Sequence, residues 1–290
     1  MSAPAGGPVL VIGVDGVRFD LLAPDATPSI WALGQAGFLA PVGIDEATPT
    51  WAGPCWATIA TGVGVAGHGI IGNDLTGHRL ADHPDFITRA TRAGLATLLA
   101  VSGWSPLALA GDGGPLFAQA TRREFAPATE TSVAAWDAAD EAITGVAAKL
   151  LADEGPRAAF VYLGAVDITG HLTGAGAAYR AAARAADQRV GRLLSAVRSR
   201  PGENWTIVVV TDHGHLDRGG HGGREPEVTT AWAAAAGPGI RPGAPPLITR
   251  QSQVAPLVLA ALGRRLAGMA AQSTVKICGP SAVIATVCST

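Results

Sequence analysis

The chain has 290 residues, of which 48% are hydrophobic and 15% charged, and its formal net charge is −2, with a mean hydropathy of +0.28. This composition excludes a disordered or strongly solvated chain, and the near-neutral charge leaves no electrostatic footprint for polymeric nucleic acid or an acidic membrane. The length is compatible with two domains, but a single α/β unit of this size is expected.

The first residues, Met-Ser-Ala-Pro-Ala-Gly-Gly-Pro, carry no basic segment. The apolar run behind them is interrupted by Asp15, so it reads as a first strand rather than a signal peptide. No run approaches the roughly 18 apolar residues of a membrane span. Cys55, Cys278 and Cys288 are odd in number and form no Cys-x-x-Cys pair, which predicts neither a disulfide framework nor a structural zinc knuckle. A cytoplasmic location is expected.

Residues 9–15 are short, β-branched and bounded by Gly-Gly-Pro before and Gly16 after, as in a strand buried on both faces of a parallel sheet. Runs at 95–102, 159–163 and 205–211 share that character. Each follows a segment with helical traits, at 85–93, 132–153 and 177–200. Alternation of this kind predicts an α/β fold: an open, mostly parallel central sheet with helices on both faces. A later strand is expected at 229–236, ending at Gly-Pro-Gly, and a final helix at 252–263, with Ser252 as N-cap and Gly263 as its C′ glycine. The residues from Lys276 onward are nearly uncharged and have no clear periodicity, so they receive no role. The domain expectation is therefore one unit over 1–270 and a tail over 271–290.

Ligands of such sheets bind outside the carboxyl ends of the strands, and six residues of metal-ligand type fall there. Asp15 follows the first strand, Asp167 and His171 lie in Asp-Ile-Thr-Gly-His, Asp212 and His213 in Thr-Asp-His-Gly, and His221 in Gly-Gly-His-Gly-Gly. A single strand-end Asp is commonly a turn or N-cap residue, but three strand ends converge on one chemistry here. Asp167 and His171 are four apart, so one helical turn would point both to the same side. The glycines around His221 allow close backbone approach to an ion. Carboxylate and imidazole together suit Zn²⁺ or a similar first-row ion, and two adjacent ions can polarise a phosphoryl oxygen and activate a nucleophile. His78, His83 and His215 read as surface residues, and His68 as a residue that shapes a loop.

These motifs resemble the alkaline phosphatase superfamily, and within it the type I phosphodiesterase/nucleotide pyrophosphatase branch. The likeness runs through Val11-Ile-Gly-Val-Asp-Gly-Val-Arg18, Trp56-Ala-Thr-Ile-Ala-Thr-Gly62, His68-Gly-Ile-Ile-Gly-Asn73, the two Asp/His motifs, residues 219–223 and residues 253–263, covering nearly the whole chain. It implies an alkaline-phosphatase-like fold, two Zn²⁺ (or another divalent first-row metal), and a small phosphoester substrate, of phosphodiester or nucleotide type. It further implies that Asp167, His171 and His221 hold one metal, that Asp15, Asp212 and His213 hold the other together with a nucleophilic hydroxyl, and that Asn73 donates to a phosphoryl oxygen. The implied route is in-line attack by a Thr or Ser, a covalent phospho-enzyme, and its hydrolysis.

The sequence departs from that pattern at one position. The nucleophile slot, two residues before Pro54, holds Ala52. Thr50 is one substitute, although residues two apart on an extended segment are roughly 6 to 7 Å apart, more than a metal–oxygen bond near 2.0 Å tolerates. Direct attack by water or hydroxide is a second explanation, and loss of turnover a third. Cys55 follows the proline into the helix and suits a structural role better. A phosphomonoesterase or phosphonate hydrolase on the same fold, and a catalytically silent metal- and phosphate-binding protein, are the competing functions. A sulfatase is disfavoured because Cys55 lacks the Cys-x-Pro-x-Arg context of its modified nucleophile. Trp104 and Phe117 are candidate stacking surfaces for a base or ring.

Overall fold

The computed structural model describes residues 6–104, 107 and 116–263. The expected tail at 271–290 lies outside them. The apolar runs singled out above become the central strands. β1 (Val9–Val14), β2 (Phe38–Gly43), β3 (Thr97–Ser102), β4 (Arg122–Ala126), β5 (Ala158–Leu163), β6 (Thr206–Val210) and β7 (Thr230–Ala236) form one seven-stranded sheet in the order β2-β7-β6-β1-β5-β3-β4. The pairs β1–β5, β1–β6, β3–β5 and β3–β4 are parallel, whereas β7 runs antiparallel to β6 and β2.

β1 lies in the middle, and its side chains alternate between the two faces, as the period-two geometry of a strand requires. Val9 and Val11 join one buried cluster with Trp56, Ile59, Phe86 and Val254. Leu10, Ile12 and Val14 join the other, with Ile30, Ile143, Tyr179 and Leu193. The first face is covered by α2 (Ala52–Thr61), α3 (Val65–His68), α4 (Phe86–Arg92) and, after the short α8 (Pro226–Thr229), by α9 (Val254–Ala261); the second by α1 (Pro28–Gln35), α5 (Val133–Asp153), α6 (Ala165–Thr173) and α7 (Ala177–Arg198). Burying each large aliphatic side chain contributes about 1.5 to 3 kcal/mol.

The helix boundaries follow local chemistry. The Asp85 carboxylate accepts from the Thr88 N–H at 2.7 Å and caps α4, and the Ser132 hydroxyl accepts from the Ala135 N–H at 3.2 Å to cap α5. Ser252 does not cap the last helix. A 3-10 turn over Gln251–Gln253 precedes it, and the Gln253 carboxamide oxygen instead accepts from the Thr249 and Arg250 N–H groups, at 2.8 and 3.0 Å. Gly263 ends it at φ +74°, in the left-handed region expected of a C′ residue.

Phe117 is fully buried and stacks on Phe160 with ring centroids 4.4 Å apart, so it belongs to the core and offers no surface to a substrate ring. Trp104 is half-buried and tilted against Tyr162, 6.4 Å between centroids.

Candidate metal centre

Because β1, β5 and β6 are adjacent and parallel, their carboxyl ends open onto one edge. The Asp15 N–H bonds to the Leu163 carbonyl at 3.0 Å, which sets Asp15 beside the start of α6, while Asp212 follows β6. A buried carboxylate fixes α6 there. Asp140 accepts from the Gly164 and Ala165 N–H groups at 2.9 and 3.1 Å, and from the Ser102 hydroxyl. Burial pushes its pKa up to about 6 against those bonds. At the end of β1, Gly16 adopts φ +70°, and a Cβ there would sit 2.9 Å from Asp167. Only glycine lets β1 and α6 approach this closely.

Within this cleft the six predicted ligands come together in two adjoining sets. In the first, His171 Nε2 lies 3.5 Å from Asp167 Oδ2, His221 Nε2 lies 3.4 Å from Asp167 Oδ1, and the two imidazole nitrogens are 2.9 Å apart. In the second, His213 Nε2 lies 3.5 Å from Asp15 Oδ1 and 3.2 Å from Asp212 Oδ2. Bonds of 2.0–2.1 Å to a tetrahedral ion place its ligand atoms about 3.3 Å apart. The stacked rings of His213 and His221, 3.7 Å between centroids, join the two sets.

The partners of each ligand decide which atom is left for an ion. Asp15 Oδ2 accepts from Trp56 Nε1 at 2.9 Å and from the Tyr162 hydroxyl at 2.6 Å, and Asp212 Oδ1 accepts from the Gly16 N–H at 3.2 Å. His213 Nδ1 donates to the Gly214 carbonyl at 3.2 Å, which leaves the Nε2 lone pair free. Among the described residues, Asp15 Oδ1, Asp212 Oδ2 and His213 Nε2 are buried without a hydrogen-bond partner. An orphaned buried acceptor costs about 1 to 3 kcal/mol. Three of them converging, with their companion atoms satisfied, match the demand of a cation, so the donor set fits a bound metal.

Electrostatics point the same way. Burial, reinforced by the charge of Asp167, pushes Asp15 up to about 7. Burial together with Asp15 and Asp167 raises Asp212 well above the carboxylate range. Burial keeps His213 and His171 neutral by lowering their pKa values, with neighbouring imidazoles adding to it. For Asp167 burial is opposed and outweighed by His215 and His221, and its carboxyl is held low. Against burial, Asp167 raises the pKa of His221. A divalent ion requires neutral imidazoles and ionised carboxylates, so its binding would displace protons from Asp15 and Asp212 and supply the counter-charge they lack.

The rim is built on α2. Its first residue is Ala52, behind Trp51 as N-cap. Asn73 is exposed and accepts from the Gly53 N–H at 2.8 Å through its carboxamide oxygen, which leaves its N–H₂ to donate. Thr50 is fully buried. Its hydroxyl donates to the Gly223 carbonyl at 2.9 Å, and its own carbonyl accepts from His221 Nδ1 at 2.6 Å. Thr50 therefore orients His221 and lies outside both ligand sets. Thr50→Val should cost about 1 kcal/mol of stability for the lost bond and leave phosphoester turnover within about threefold of its starting value; a drop on the order of 10³-fold would restore Thr50 as a nucleophile. Cys55 is fully buried, its thiol donating to the Pro49 carbonyl at 3.5 Å, with its pKa raised by burial and by the Asp212 charge.

The reading of His215 as a surface residue is overturned. It is fully buried, with Nε2 at 2.8 Å from Asp167 Oδ1. Its burial depends on a loop that turns back at Gly220, a contact that local polarity does not report. His68 is also buried, its Nδ1 accepting from the Ile70 N–H at 3.0 Å and its Nε2 3.0 Å from the Thr58 hydroxyl, in keeping with a loop-shaping role. His78 and His83 are half-exposed. Sequence reasoning also missed Trp56, Tyr162 and Gln251. The last donates to the Asp212 carbonyl at 2.5 Å from a remote turn.

The fold recurs in known structures at low identity. A 2-O GAG sulfatase aligns with a TM-score of 0.72 and 14% identity, over 91% of this chain and 72% of its own. Murine ectonucleotide pyrophosphatase/phosphodiesterase 5, in an inactive Thr-to-Ala form in complex with AMP, aligns with a TM-score of 0.65 and 17% identity, over 89% of this chain and 96% of its own. The human protein gives 0.65 and 16%, over 89% and 95%. No curated protein sequence matches the chain. The family model described as type I phosphodiesterase/nucleotide pyrophosphatase matches residues 9–221. The chain belongs to the type I phosphodiesterase/nucleotide pyrophosphatase family.

Proposed function

We propose that the protein is a dinuclear zinc phosphohydrolase acting on a small phosphodiester or nucleotide-type phosphoester, with Asp167, His171 and His221 holding one ion and Asp15, Asp212 and His213 the other. The observation that carries this reading is the trio of orphaned ligand atoms, Asp15 Oδ1, Asp212 Oδ2 and His213 Nε2, buried side by side. When bound, the two ions would supply Lewis acidity to the phosphoryl group and lower the pKa of water. The chain's own residues set the rest. Trp56, Tyr162, Gly16 and Gly214 hold the ligands in orientation, and the Asn73 carboxamide, locked through its oxygen, presents N–H donors to a phosphoryl oxygen. Ala52 offers no nucleophile, so attack at phosphorus falls to water without a covalent phospho-enzyme.

The test is metal content after zinc loading, followed by turnover of bis(4-nitrophenyl) phosphate and 4-nitrophenyl phosphate. About two zinc ions per chain and hydrolysis faster on the diester would support the reading; a protein that retains no transition metal would end it. Ala52 also favours a second reading, a silent metal- and phosphate-binding protein, and the inactive murine relative that holds AMP illustrates how a family site binds without turnover. Zinc-dependent AMP binding together with no hydrolysis of bis(4-nitrophenyl) phosphate after prolonged incubation would decide for it. In either case Asn73→Ala should weaken the phosphoester's hold. In a variant with restored turnover it should lower kcat by about 10²-fold, the scale of one lost oxyanion donor; an unchanged kcat would remove Asn73 from the site.

A further inference from the structure

His215 belongs to neither assigned ligand set, yet one of its ring nitrogens lies within 4.8 Å of ligand-type atoms of Asp167, His213 and His221. Its hydrogen bonds determine what it can do there. The Gly220 N–H donates to His215 Nδ1 at 3.1 Å, so Nδ1 must present a lone pair. A neutral imidazole then carries its proton on Nε2, and Nε2 faces Asp167 Oδ1 at 2.8 Å. A ring that accepts at one nitrogen and donates at the other has no lone pair left for an ion.

We propose that His215 is a positioning residue, which donates from Nε2 to Asp167 Oδ1 and so orients that carboxylate toward the metal shared with His171 and His221. The proposal rests on the metal reading given above. The surroundings are shaped for this ring. A Cβ on Gly170, in Asp-Ile-Thr-Gly-His, would sit 2.8 Å from His215 Cε1 and Nδ1 and 2.9 Å from Cδ2, so the glycine one residue before His171 admits the imidazole flat against α6. Tyr179 meets the ring edge-on, 5.7 Å between centroids. Gly219, at φ +87°, packs against the Gly170 carbonyl and carries the loop back so that the next N–H reaches Nδ1. Asp-Ile-Thr-Gly-His and His-Leu-Asp-Arg-Gly-Gly thus form one interlocked unit, with the tautomer of His215 fixed by the backbone.

Two measurements test this. The ¹⁵N shifts of His215 in the whole protein should show a proton on Nε2 and a lone pair on Nδ1, both metal-free and zinc-loaded; loss of the Nε2 proton on zinc loading would make His215 a ligand and overturn the proposal. Zinc affinity, by competition with a chelator, should fall about 10- to 100-fold in His215→Phe, which fills the cage without a donor. It should stay within about threefold of wild type in His215→Gln, whose carboxamide offers an acceptor and a donor in nearly the same places. Equal affinity in wild type and His215→Phe, or equal loss in both variants, would overturn the proposal alone. A wild-type protein that takes up no zinc would overturn the metal reading and this proposal with it.

Discussion

Ala52→Thr should raise turnover of bis(4-nitrophenyl) phosphate by the zinc-loaded protein on the order of 10³-fold, about 4 kcal/mol of transition-state stabilisation. Position 52 is the first residue of α2, 9% exposed, directly after the segment whose Thr50 carbonyl holds His221. A hydroxyl there would lie at a helix N-terminus, where backbone N–H groups favour developing negative charge. It would also open the two-step route, so the rise should be accompanied by a burst of one nitrophenol per site and a phosphorylated protein in the mass spectrum. Ala52→Ser should behave similarly. Ala52→Val, equal to threonine in shape but without oxygen, should remain at the starting rate. If the Thr and Ser variants fold and bind zinc while their rates do not move, position 52 is not where attack originates, and the parallel with nucleophile-bearing members of the family fails at this point.

The fold was readable where burial is two-sided. The runs that became β1, β5 and β6 are buried at every position and almost continuously apolar because helices cover both faces, and that is the strongest strand signal a parallel sheet gives. β2 and β4 lacked it. Both lie at the edges of the sheet; Pro41 sits within β2, and Arg122, Arg123 and Glu124 open β4, the residue types that edge strands use to avoid further pairing. The candidate metal ligands were legible for a different reason. Strand ends and one helical turn place Asp15, Asp167, His171, Asp212 and His213 by local geometry alone. What escaped was whatever long-range contact decides. His215 is recruited by an N–H five residues further along a loop, Asp140 fixes α6 from α5, and Thr50, weighed as a hydroxyl, acts through its carbonyl. The residues that offer lone pairs to the candidate metal site were in the motifs; those that aim the lone pairs were scattered across the chain.

Zinc should stabilise this protein strongly, and the metal-free form should weaken as pH rises through the neutral range. Burial holds Asp15 at about 7 in the folded chain, against 3.8 for an unperturbed aspartate. A raised folded pKa means that stability is fully present below the unfolded value and is lost as pH rises through the folded one. Across pH 4 to 7 that loss amounts to about 4 kcal/mol for Asp15, and Asp212, raised for the same cause, adds to it. An ion in the second set removes the penalty by supplying the counter-charge. Zinc at 1,000 times its dissociation constant would contribute about 4 kcal/mol, roughly a 7 °C rise in Tm for a domain of this size, and below pH 7 the apparent affinity should climb about tenfold or more per pH unit as protons are displaced. Asp212→Asn separates the two effects. It keeps the shape of the side chain and removes one of the crowded carboxylates, so the metal-free variant should be more stable than the metal-free wild type at pH 8. The same change should abolish most of the zinc-induced rise in Tm. Melting curves of both proteins at pH 5 and pH 8, with zinc and with chelator, read all of this at once. A metal-free Asp212→Asn that melts below wild type at pH 8 would show that the carboxylates are not in conflict, and that the buried trio is satisfied by something other than a cation.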